Sequence, residues 1–110
     1  MDIDKVINDL SKELASFFDK KYSHLKPELE QDLTVFLERA KGKMKRWILL
    51  LSTESITQEE FQWLLDSQKD LLVMQALQLA GVSKIKLNEI KKSVFKIVFD
   101  TVVKALVLLL

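Results

Sequence analysis

The chain has no cysteine, one proline, two glycines and one histidine in 110 residues. Without cysteine there can be no disulfide, thiolate metal site or cysteine nucleophile. That is the usual state of a protein kept in a reducing compartment, so a cytoplasmic location is expected. Three strong turn formers are too few for a turn-rich β fold, which leaves long helices with short connections. Two glycines cannot build a phosphate loop, and none of the glycine-rich nucleotide or hydrolase signatures occurs. His24 falls in a turn before Pro27, and the Glu-x-x-His pairs of a di-iron bundle are missing. No catalytic residue, metal ligand or cofactor site is therefore expected, and the chain does not read as an enzyme. Net charge is only +1, so no global field draws it to nucleic acid or anionic lipid. The opening MDIDKVINDL is acidic and lacks the basic and apolar regions of a signal peptide.

What is present is apolar periodicity. Hydrophobic residues make up 48% and charged residues 30%, a globular balance, and the length suits one domain over residues 1–110. Apolar residues recur at three-and-four spacing in four segments, which predicts helices over about 2–22, 27–52, 58–80 and 84–110. Asp2 caps the first, and Pro27 opens the second, followed by Glu28, Glu30 and Asp32 where the helix dipole favours acids. Gly42 lies opposite the second helix's apolar stripe and reads as a tolerated glycine. Thr57 and Glu60 form a capping box for the third helix; Gly81 stops it, and Ser83 caps the fourth. Short connections predict an all-α, up-down-up-down antiparallel four-helix bundle.

The final stretch VFKIVFDTVVKALVLLL, Val94–Leu110, carries three charges, Lys96, Asp100 and Lys104, at four-residue steps. With Lys86, Glu89 and Ser93 they form one narrow polar stripe on a helical wheel. A membrane span needs about 20 apolar residues without such a stripe, so spanning is not expected. The helix is either the most buried of the bundle or one that also faces another molecule.

On the wheel, Leu49 and Trp63 point away from the core stripes, and Met74 and Leu77 follow Trp63 on the same outer side of the third helix. With Val107, Leu109 and Leu110 they make a candidate protein interface. The leading expectation is interaction with protein, either self-association as a homodimer or larger species or docking to another chain, with Trp63 as anchor. A second reading uses the basic cluster Arg39, Lys41, Lys43, Lys45 and Arg46 to bind nucleic acid or another polyanion, although Trp47 falls on the core stripe. Peripheral membrane contact through helix 94–110 ranks third.

Overall fold

The computed structural model describes residues 2–69 and 72–107. Among these residues there are five α-helices, one 3-10 turn and no strand: α1 (Ile3–Lys21), the turn Ser23–Leu25, α2 (Lys26–Ser52), α3 (Gln58–Asp66), α4 (Gln75–Leu79) and α5 (Lys84–Val107). No helix among them is long and apolar enough to cross a membrane.

Local chemistry accounts for most helix ends. The Asp2 side chain accepts from Lys5 N at 3.1 Å and caps α1. Pro27 sits in the first turn of α2, where its missing N–H costs nothing. The capping box is complete: Glu60 N donates to Thr57 Oγ1 and Thr57 N donates to a Glu60 carboxylate oxygen, both at 3.0 Å. Ser83 Oγ accepts from Lys86 N at 3.2 Å at the start of α5. Gly81 adopts φ +83° after α4, a conformation an L side chain would resist.

One contiguous apolar core draws on all five helices. α5 supplies Ile90, Val94, Phe95, Val98 and Val102 to its centre, packing against α1 and α3, while its stripe of Lys86, Glu89, Lys96, Asp100 and Lys104 stays exposed. Phe95 meets Phe36 of α2 edge to face, and Phe99 stacks on Phe61 of α3. Trp47 is buried in the core, as its place on the stripe predicts. α2 packs against α1, α3 and α4. Ion pairs Lys26–Asp19 at 2.6 Å and Lys45–Asp4 at 2.7 Å join α1 to opposite ends of α2.

The expected helix 58–80 is not continuous. α3 ends at Asp66, residues 72–74 are non-helical, and α4 begins at Gln75. The start of α4 is fixed from 44 residues upstream in sequence. Asp32, a buried residue of α2, accepts from Ala76 N at 2.9 Å and Leu77 N at 3.1 Å with its two carboxylate oxygens. These are the second and third residues of α4, the donors an N-cap side chain normally satisfies, and Met74 at the cap position has no side chain able to do so. Asp32 is thus the N-cap of α4, supplied from a different helix.

Hydrogen bonds from a charged acceptor contribute about 1.5–3 kcal/mol, and a buried N–H left unpaired costs about 1–3 kcal/mol. Asp32→Ala is expected to destabilise the chain by about 2–3 kcal/mol in urea unfolding. Asp32→Asn, which keeps one carbonyl acceptor, should lose less. Equal losses for both, or none, would contradict the capping role.

Candidate interaction surface

The break resets the helical phase after residue 74. In one continuous helix Met74 and Leu77 would share the outer side of Trp63; instead they are 3% and 0% exposed, within the core. Leu79, which the unbroken stripe would bury, is 83% exposed. The expected outer stripe of Trp63, Met74 and Leu77 is therefore not formed, and Met74 and Leu77 are unavailable to a partner. Leu49 and Trp63 do face solvent, at 53% and 62% exposure, and Val107 is also exposed. Leu109 and Leu110 lie outside the described residues.

Trp63 stands about 160–200° around α3 from the buried Phe61 and Leu65, which is why a wheel places it correctly without knowledge of the tertiary fold. Leu49 is governed by the same local geometry on α2. What the wheel alone did not bring forward is the company Leu49 keeps. Glu28, Val35, Gly42 and Leu49 recur every seven residues along α2, the period that keeps residues on one side of a helix. Val35, Gly42 and Leu49 are all exposed, as are Glu38, Arg39 and Arg46 beside them. This spacing was available in the sequence as a second, weaker heptad opposite the core stripe.

Between α2 and α4 lies an open groove of about 600 Å³, lined on one side by Glu28, Gln31, Val35 and Arg39 and on the other by Val73, Ala76 and Leu79. The Asp32 carboxylate lies at its base, fixing α4 against α2. Val35, Val73 and Leu79 give it an apolar rim more exposed than a core would leave. Glu28 sits in the first turn of α2, where the dipole favours a carboxylate.

The five cations of the expected polyanion site are distributed around α2. At about 100° per residue, Arg39, Lys43 and Arg46 share one side and Lys41 and Lys45 the other. Lys45 donates to Asp4; that hydrogen bond and the accompanying charge hold the Asp4 carboxyl below the usual carboxylate range. The Lys43 ammonium donates to Gln68 Oε1 at 3.4 Å. His24 is exposed in the 3-10 turn, and among the described residues no grouping of His, Cys, Asp and Glu is arranged to hold a metal ion.

No protein-family model matches this chain, and neither a curated protein nor a solved structure is significantly similar to it.

Gly42 has nothing within 4 Å of the point where a Cβ would stand. Packing within the chain therefore gives no reason for glycine at mid-helix, where it costs about 0.5–1 kcal/mol relative to alanine. Gly42→Ala is expected to raise unfolding stability by about that amount, measured by urea titration at low protein concentration. A loss of stability would show that the backbone there needs glycine.

Proposed function

We propose that this chain is a non-enzymatic, single-domain helical-bundle protein that works by associating with protein, as a homo-oligomer or docked on another chain. The third leg of its up-and-down arrangement is shared between α3 and α4. The observation that carries this reading is the placement of its large apolar side chains. The core closes without Leu49, Trp63 and Val107, each more than half exposed. Trp63 is the largest of the exposed apolar side chains among the described residues, and tryptophan dominates the binding energy of protein interfaces. Burial on association would return about 25 cal/mol per Å² of apolar area before association costs.

Polyanion binding is the second reading, favoured by Arg39, Lys43 and Arg46 sharing one side of α2. It weakens steeply with salt, whereas apolar association does not.

Trp63→Ala should weaken association measurably, by light scattering or partner titration, and leave helix content and unfolding stability within about 0.5 kcal/mol of the parent chain. Loss of folding would make Trp63 a structural residue. Unchanged association, with binding instead to an oligonucleotide lost between low and high salt, would move the function to the cationic side of α2.

A further inference from the structure

The outer face of α2 reads alike in both directions from Gly42. Four residues to either side stand an acid and a base, Glu38 and Arg46. Seven residues to either side stand branched apolar residues, Val35 and Leu49. At about 100° per residue the five positions fall within about 80° of arc, and every one of them is exposed. Among the described residues neither Glu38 nor Arg46 has an ion-pair partner.

We propose that this face is the interface of a symmetric dimer, in which a second copy of the chain lays its α2 antiparallel on the first with the two-fold axis at Gly42. The proposal rests on the association reading above and names its partner and surface. Reversal about residue 42 sets Val35 of each copy opposite Leu49 of the other, and Glu38 opposite Arg46. A two-fold interface makes each of these contacts twice, which is how one patch becomes complementary to itself.

Among the charges of α2 the reversal about Gly42 makes one attractive pairing, Glu38 with Arg46; Arg39 falls opposite Lys45 and Lys41 opposite Lys43, so the two Glu38–Arg46 contacts are the ones that set the charge register. Arg39 lies toward the α4 edge, where it lines the groove.

Gly42 and the groove take roles that the isolated chain does not give them. Packed helices normally run about 8–10 Å apart, and a glycine at the crossing point permits closer approach. Glu38 and Arg46 can then meet across the crossing. Val35 forms a wall of the α2–α4 groove, so Leu49 of the second copy has an apolar seat between Val35, Val73 and Leu79. The face is one helix wide and about 21 Å long from Val35 to Leu49. Its area falls below the roughly 800 Å² per partner of a standard interface, so the dimer dissociates on dilution.

Sedimentation equilibrium over a dilution series tests this with the full chain and four variants: Glu38→Arg, Arg46→Glu, the two combined, and Gly42→Leu. Circular dichroism checks that each keeps its helix content. Each single charge reversal should raise the dimer Kd by about tenfold or more, because it places like charges opposite each other twice. The combined reversal should restore the Kd to near the parent value, and Gly42→Leu should raise it without loss of fold. A dimer indifferent to the single reversals would overturn the α2 pairing and leave association through Trp63 standing. A combined variant no better than the singles would overturn the antiparallel register. A chain monomeric at every concentration would overturn self-association altogether, leaving docking to a different protein as the surviving form of the proposed function.

Discussion

The carboxylate of Asp32 holds together what local sequence leaves apart. A five-residue helix has little stability of its own, since nucleation fixes several residues before propagation repays the cost. α4 exists because two of its leading N–H groups, those of Ala76 and Leu77, find acceptors on α2, and because the Met74 and Leu77 side chains are buried in the core. The clamp sets the phase of α4 and, through it, the outward placement of Val73 and Leu79. It also fixes the spacing between α2 and α4, and hence the groove beside Val35. A buried acid on one helix thus shapes an apolar surface on the outside.

How far the sequence disclosed this depends on the range of the forces involved. The caps at Asp2, Thr57 with Glu60, and Ser83 involve partners three residues away, and each can be read from sequence. The same holds for the glycine stop at Gly81 and for the polar stripe of α5. The division of the expected third helix could not be read that way. Its residues carry an acceptable helical period from Phe61 onward, and no proline or glycine interrupts them before Gly81. The start of α4 is fixed by hydrogen bonds to a residue 44 positions upstream, which local sequence rules do not see. Asp32 itself looked like an ordinary first-half acid answering the helix dipole.

The candidate surface divides along the same line. Leu49 and Trp63 face outward because of their own helices' geometry, so their exposure followed from periodicity. Met74 and Leu77 were placed by extending that periodicity through a break, and their burial follows from the phase change the break introduces. Val35 and Leu79 share one groove because α4 lies beside α2, a tertiary contact that periodicity does not encode. Gly42 is the reverse case: read alone it is a tolerated defect, but midway between Val35 and Leu49 on an exposed face it marks where another helix would come closest.

The most direct test of this account is an isotope-filtered NOE experiment on a mixture of labelled and unlabelled chain, at a concentration where association occurs. Cross-peaks between the Val35 methyls of one copy and the Leu49 methyls of the other, with further peaks from Leu49 to Val73 or Leu79, are the predicted result. Intermolecular peaks that involve Trp63 and omit Val35 would contradict the α2 interface and place the contact on α3.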